Sequence, residues 1–341
     1  MRTAPAFWWH DRISLKAALL SPLSFIYGAV SGRRMHQAPS AHASLPVICI
    51  GNFVVGGAGK TPFALKLCAL LQAEGHKPVF LLRGYGGRLK GPVLVDPEKH
   101  SGADVGDEAF LLAAAAPTIV AANRPEGAAF AATLEASLIL MDDGFQNPAL
   151  AKDLTLALVD AEVGTGNGLC LPAGPLRAPL SAQIRKADAL VVVGEGSRAA
   201  KAVHLAARRG LPIIEAKITP TNGAEFEGQK VLAYAGIGRP QKFFASLAAA
   251  GAEVVETRAF ADHHPYSEAE AQSLLTRAET GNLQLVTTAK DMARIESAEG
   301  EIYRWLAKRS AVLEVDMRIE PQSRLMDLIS ETLRRRPFRS R

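Results

Sequence analysis

Short apolar runs punctuate the chain at regular intervals: residues 45–50, 78–82, 93–95, 138–141, 154–159, 189–193, 231–235, 283–286 and 311–315. Each is too short for a buried helix and ends in glycine or polar residues, which predicts strands. Between many of them apolar residues recur every three or four positions, as over 62–73, 108–116, 125–135 and 241–250, which predicts helices. Strands alternating with helices give a parallel sheet covered on both faces, with its functional groups at the carboxyl ends of the strands. A shift to turn-forming residues at Thr219-Pro220-Thr221-Asn222-Gly223 marks an expected linker between two domains. A length of 341 residues suits that division.

The N-terminal pattern is different. Leu15, Leu19, Leu23, Ile26, Tyr27 and Val30 fall on one helical face, preceded by Trp8-Trp9. Lys16, Ser21, Ser24 and Ser31 interrupt the run and Pro22 is expected to kink it, so its unbroken apolar length is short for a membrane span. No cleavage-site pattern of a signal peptide follows. An amphipathic helix lying in the membrane interface, with the Trp pair at the headgroups, fits these residues; a helix packed on the protein's own core is the alternative. Charge adds to this picture. The net +5 is concentrated at the ends, with Arg2, Arg12, Lys16, Arg33 and Arg34 at one and Arg334-Arg335-Arg336 to Arg341 at the other, a distribution that suits an anionic surface. Cys49, Cys68 and Cys170 are far apart and form no C-x-x-C, which excludes a disulfide framework or a cysteine-based zinc site and fits a reducing compartment.

Candidate chemistry begins after the first strand. Gly56-Gly57-Ala58-Gly59-Lys60-Thr61 lies between an apolar run and a helical pattern, the layout of a phosphate-binding P-loop. Glycines let successive backbone N–H groups converge on an anion, Lys60 reaches terminal phosphates, and the Thr61 hydroxyl suits Mg²⁺. The first glycine of the usual G-x-x-x-x-G-K-[ST] spacing would fall at Val54, so the match is incomplete. Further on, Asp142-Asp143 close an apolar run, which downstream of a P-loop is a Walker B-like arrangement for Mg²⁺. Arg83-Gly84-Tyr85-Gly86-Gly87 puts a cation in a flexible loop. Asp107, in Gly106-Asp107-Glu108, suits either a helix N-cap or catalysis. Asp262-His263-His264 sets imidazoles beside a carboxylate, with too few ligands for a metal; capping the helix at Ser267 is the other use of the pair.

The order GGAGKTP, RGYGG, GDE, DDGFQ, LPAGPLR, DHH and TTAKD, spread from Trp9 to Met326, resembles the tetraacyldisaccharide 4'-kinases of lipid A biosynthesis. The resemblance implies a P-loop NTPase-like α/β/α sandwich joined by a hinge to a second, smaller α/β domain. The expected division is a membrane-interface helix over 1–35, a kinase domain over 36–220, the smaller domain over 221–330 and a basic tail over 331–341. It also implies transfer of the ATP γ-phosphate to the 4'-hydroxyl of a tetraacyldisaccharide 1-phosphate at the cytoplasmic face of the inner membrane, with Mg²⁺ and without nucleic acid. Lys60 and Thr61 match the family's phosphate and Mg²⁺ residues, Asp142 and Asp143 its acidic pair, and Asp107 with His263 its catalytic pair. Arg83, Arg124, Gln146 and Arg177 match positions near the substrates. Two positions depart from the family pattern: Ala178 follows Pro-Leu-Arg, and Ala289 precedes Lys290-Asp291, where relatives commonly carry Glu. A P-loop switch ATPase or GTPase is disfavoured by Val54 and Val55, where many such proteins carry an early lysine. A nucleic-acid binder is disfavoured by the lack of a reader motif.

Overall fold

The computed structural model describes residues 4–10 and 12–336. Thirteen strands follow in chain order: β1 (Val47–Asn52), β2 (Pro78–Leu82), β3 (Val93–Leu94), β4 (Thr118–Val120), β5 (Leu138–Asp142), β6 (Leu154–Asp160), β7 (Ala189–Val193), β8 (Ile213–Pro220), β9 (Lys230–Ala235), β10 (Glu253–Ala259), β11 (Gln284–Thr287), β12 (Ser310–Val312) and β13 (Val315–Glu320). Nine form one sheet in the order β13-β8-β7-β6-β1-β5-β2-β4-β3. It is parallel except at its two edges, where β13 and β3 run antiparallel to their neighbours. β1 lies between β5 and β6, where the strand order reverses, and ligands bind at such a switch point.

Alternation along β1 explains the layering. Ile48 and Ile50 face a core shared with the helices Lys60–Ala73 and Gln322–Arg335, while Val47 and Cys49 face an opposite core reached by Arg124–Ala131 and Leu180–Ile184. The strands between are buried on both faces and read as continuous apolar runs for that reason. The second sheet, β10-β9-β11-β12, is parallel and has its own helices on both sides.

Two expectations need correction. The linker at 219–223 is partly strand, since β8 runs through Thr219 and Pro220. The smaller unit also does not extend to 330. β13 pairs with β8 from Val315↔Pro220 to Glu320↔Glu215, and Leu325, Met326 and Ile329 of the last helix enter the core of the larger sheet. The run at 311–315 therefore breaks into two strands belonging to different sheets. β4, β8 and β10 carry less distinctive patterns and were not expected as strands.

The N-terminal helix spans Leu15–Met35 without interruption. Ser14 caps it, accepting from the Ala17 amide at 3.2 Å. Pro22 leaves the Ala18 carbonyl without its helical donor, and the Ser21 hydroxyl supplies one at 2.7 Å. A narrow stripe, Ala17, Ser24, Gly28 and Met35, docks on the body; Ser24 Oγ donates to the Cys170 carbonyl at 2.7 Å. A Cβ on Gly28 would stand 3.2 Å from Cys170 Sγ, tighter than ordinary contact, so glycine lets the helix approach closely here. The large apolar residues Leu15, Leu19, Leu23, Phe25, Ile26 and Val30 all face outward. The Trp pair does not share that surface: Trp8 is buried, its Nε1 donating to the Pro172 carbonyl, and Trp9 packs on the core beneath. Their rings close the fold rather than extending the apolar helix face. Of the basic tail, residues 337–341 lie outside the described residues, while Arg336 pairs with Asp153 and donates to the Ala43 carbonyl.

Candidate functional site

The loop between β1 and the helix Lys60–Ala73 is shaped by left-handed glycines. Gly59 caps the helix at φ 77°, and a Cβ there would meet Val193 Cγ1 at 3.1 Å. Gly56 and Gly57 instead face open space, where an anion can approach the backbone. Asn52, the last residue of β1 and fully buried, ties the loop together. Its Nδ2 donates to the Gly56 carbonyl at 3.0 Å, and its Oδ1 accepts from Lys60 Nζ at 3.4 Å. Ala58 is buried, and Thr61 Oγ1 lies 3.4 Å from Glu108 Oε1.

The parallel pairing of β1 with β5, with Ile50 opposite Asp142, brings the acidic pair beside this loop. The two carboxylates then have different partners. Asp143, at φ 51°, lies 3.5 Å from Lys60 Nζ and accepts twice from Arg177 at 3.0 Å. Against the cost of burial, these cations hold its carboxyl down to about 2. Asp142 is buried with neither oxygen hydrogen-bonded. Burial, followed by Glu108, pushes its carboxyl up to about 7. Two orphaned acceptors at the end of a strand paired with β1, which leads into the P-loop, fit Mg²⁺, which takes few protein ligands and keeps water and phosphate oxygens. Among the described residues no cluster of three or more His, Cys, Asp or Glu side chains is placed to hold a metal. Asp143, expected with Asp142 as a metal residue, pairs here with Lys60 and Arg177.

The smaller unit closes over this loop. A Cβ on Gly238 would lie 3.3 Å from Asp262 Oδ2 and 3.7 Å from the Gly57 nitrogen, so the Asp262-His263-His264 turn adjoins the P-loop. Asp107 is not the N-cap of its helix; Gly106 holds that position at φ 92°. Asp107 Oδ2 faces the smaller unit, accepting from Arg294 Nε at 2.6 Å and meeting His263 Nδ1 at 3.2 Å. The Asp107 hydrogen bond raises the pKa of His263 above its ordinary value, and burial only partly opposes it. Next along the chain, Glu108 accepts from Lys290 Nζ at 2.7 Å. Tyr85 sets its ring edge-on to His263 at 5.8 Å. His264 has a separate use: its Nε2 lies 3.0 Å from Glu270, which completes the Ser267 capping box.

The remaining sequence candidates divide. Arg83 is exposed at the end of β2 and makes no hydrogen bond or ion pair among the described residues. Arg124 is buried within electrostatic reach of the acidic pair, donating to the Ala121 carbonyl, with its Nε unpartnered. Gln146 faces inward, its amide nitrogen held by the Asn52 carbonyl at 2.8 Å and Gln183 Oε1 at 2.9 Å, so it braces the loop. Arg177 likewise braces the P-loop, donating to the Val54 carbonyl at 3.1 Å. Ala178 is fully buried with its carbonyl held by Gln183, while Ala289 is exposed in the first turn of its helix.

A family model described as tetraacyldisaccharide-1-P 4'-kinase matches residues 16–334. The chain belongs to the tetraacyldisaccharide 4'-kinase family. It is 56% identical over 297 residues to the tetraacyldisaccharide 4'-kinase of Methylobacterium nodulans, covering 86% of this chain and 88% of that one. It is 47% identical over 331 residues to the one from Rhodopseudomonas palustris strain BisB5, covering 96% of each. The crystal structure of LpxK from Aquifex aeolicus in complex with ATP is similar at TM-score 0.70 and 25% identity, over 93% of this chain and 99% of that one. Against this 4'-kinase fold, sequence reasoning missed Asn52, the Glu108–Lys290 pair and Arg294. The spacing of Lys290 and Arg294, four apart in a helix capped by Thr288, was the available signal.

Proposed function

We propose that this 4'-kinase transfers the γ-phosphoryl group with His263 as the proton acceptor and Asp107 as its anionic partner. The activity is that of its family: ATP-dependent phosphorylation of the 4'-hydroxyl of tetraacyldisaccharide 1-phosphate. The observation that carries the assignment is the placing of the Asp107–His263 pair against a P-loop next to Asp142. With Nδ1–H donating to Asp107, His263 Nε2 is left with a lone pair for the sugar hydroxyl. The 4'-oxygen forms a bond to the γ-phosphorus, the bond from that phosphorus to the ADP oxygen breaks, and the hydroxyl proton passes to Nε2. Lys60 and the loop N–H groups stabilise charge on the transferring group. Thr61 and Asp142 would hold Mg²⁺, which neutralises phosphate charge when bound. Arg83 is free to meet an anionic group of either substrate.

The outward apolar residues of Leu15–Met35 support attachment to the membrane in which a tetraacylated substrate resides. By length and composition this helix is also sufficient to cross a membrane, but its small-residue stripe is docked on the body, which favours lying in the cytoplasmic face of the inner membrane. Mixed micelles containing the disaccharide 1-phosphate, with γ-labelled ATP, test the reading. Lys60→Ala should cut labelled lipid formation roughly a hundredfold. A folded wild-type protein that labels no lipid would overturn the activity; His263→Ala at wild-type rate would overturn the base assignment alone.

A further inference from the structure

The helix Ala289–Glu296 presents two cations, Lys290 and Arg294, to the consecutive carboxylates Glu108 and Asp107 across the gap between the two sheets. Arg294 is the more constrained, with a side chain only 8% exposed. Its Nε donates to Asp107 Oδ2 at 2.6 Å, while its Nη1 donates to Asp291 Oδ1 at 2.8 Å and to the Gly236 carbonyl at 3.1 Å. Asp291 is itself fully buried and fixed, accepting from the Gly236 amide at 3.0 Å, Tyr266 Oη at 2.9 Å and Thr288 Oγ1 at 2.7 Å. The Gly236 carbonyl also accepts the His263 amide at 3.1 Å, and His263 is held in the left-handed region at φ 57°. Asp107 Oδ2 and the Gly236 carbonyl therefore each bridge Arg294 and His263. One guanidinium locks the carboxylate and the backbone of the imidazole into a single frame, using the fork geometry that lysine lacks.

We infer that Arg294, held by Asp291, is a positioning residue for phosphoryl transfer: it fixes Asp107 against His263 when the smaller unit meets the P-loop domain. Arg294 does not touch the reacting atoms; it acts through Asp107 and the Gly236 carbonyl. The inference rests on the assignment of His263 and Asp107 given above.

Four proteins decide it: wild type, Arg294→Ala, His263→Ala and the double variant, with Arg294→Lys as a fifth. Each is assayed for kcat in mixed micelles, ATP dissociation constant by calorimetry and thermal midpoint. Arg294→Ala should lower kcat about tenfold or more with ATP affinity within about twofold of wild type, since positioning is expressed in turnover. Arg294→Lys, which keeps the charge and loses the fork, should recover less than half of the loss. In the His263→Ala background, adding Arg294→Ala should cost less than about twofold more, because groups acting as a unit are not additive. Wild-type kcat in Arg294→Ala, full rescue by lysine, or a full additional loss in the double variant would each overturn the inference. If Arg294→Ala unfolds at the assay temperature, the lysine variant and its combination with His263→Ala carry the same comparison. Should His263→Ala retain full activity, the base assignment fails first and is recognised as that failure.

Discussion

At the residue scale, ionisable groups a few positions apart are given opposite tasks by their surroundings. Asp142 and Asp143 are neighbours, yet one is driven to about 7 by burial and the other to about 2 by Lys60 and Arg177. For the ligand-free protein the sign follows from linkage. Asp142 keeps its proton in the folded state up to about 7 but releases it near its ordinary value when unfolded, so stability falls as pH rises through that window. Asp142→Asn should accordingly raise the thermal midpoint of ligand-free protein at pH 8, while losing the further stabilisation that Mg·ATP gives wild type; scanning calorimetry with and without Mg·ATP checks both. His263 gives a second pH test. A base must be neutral, and its hydrogen bond to Asp107 raises its pKa above the usual histidine value, so kcat should climb on the alkaline side of about 6.5. Asp107→Asn removes the partner charge and should move that acid limb to lower pH as well as reduce the plateau. A limb at the same pH in the variant would separate His263 from the titration.

At the element scale, the N-terminal helix divides its faces by side-chain size. Leu19 is 73% exposed, Phe25 79% and Ile26 60%, so converting all three to Asp should leave the thermal midpoint within about two degrees, as surface changes do. The same triple variant should shift protein from sedimenting vesicles to the supernatant, because the apolar contact is what holds it there. Gly28→Leu should behave in the opposite way, lowering the midpoint by colliding with Cys170 and Pro179. Much of this element was legible from the spacing of Leu15, Leu19, Leu23 and Ile26. The burial of Trp8 was not, because an indole suits a headgroup region and a core cavity equally until its Nε1 partner, Pro172, is known. Strands fully buried on both faces, such as β5 and β6, announce themselves as apolar runs. β10 and β13 do not, since their many exposed charged residues resemble solvated helix or loop. The P-loop and the acidic pair were readable as motifs, and the pairing of Asp107 with His263 came only from the family resemblance, whereas Arg294 and Asn52 owe their significance to neighbours distant in sequence or to a loop conformation.

At the scale of the molecule, the chain leaves the large sheet after β8 and returns through β13, so the smaller unit is an insertion between two paired strands. Met317 lies under the P-loop, its Cε 3.4 Å from where a Gly59 Cβ would stand, and Ile319, Leu325, Met326 and Ile329 fill the same core. Ending the chain at residue 313 should therefore abolish ATP binding and lower the unfolding midpoint sharply, although every motif residue is retained; calorimetry on soluble truncated protein measures both. A truncation that binds ATP as wild type would show that β13 is dispensable.

Those two paired strands also constrain how the halves can move. Both passages of chain leave one ribbon edge, with Pro220 opposite Val315, so the smaller unit is attached like a door on a single hinge pin. Ion pairs also cross between the two units: Glu108 to Lys290, Asp107 to Arg294, and Asp160 to Arg239 and Lys242. These charges are largely withdrawn from solvent, so salt weakens them less than it would pairs on an open surface. Cutting one of them by substitution, as in Lys290→Ala, should therefore loosen the door more than added salt does, which hydrogen exchange across the smaller sheet of the ligand-free protein measures.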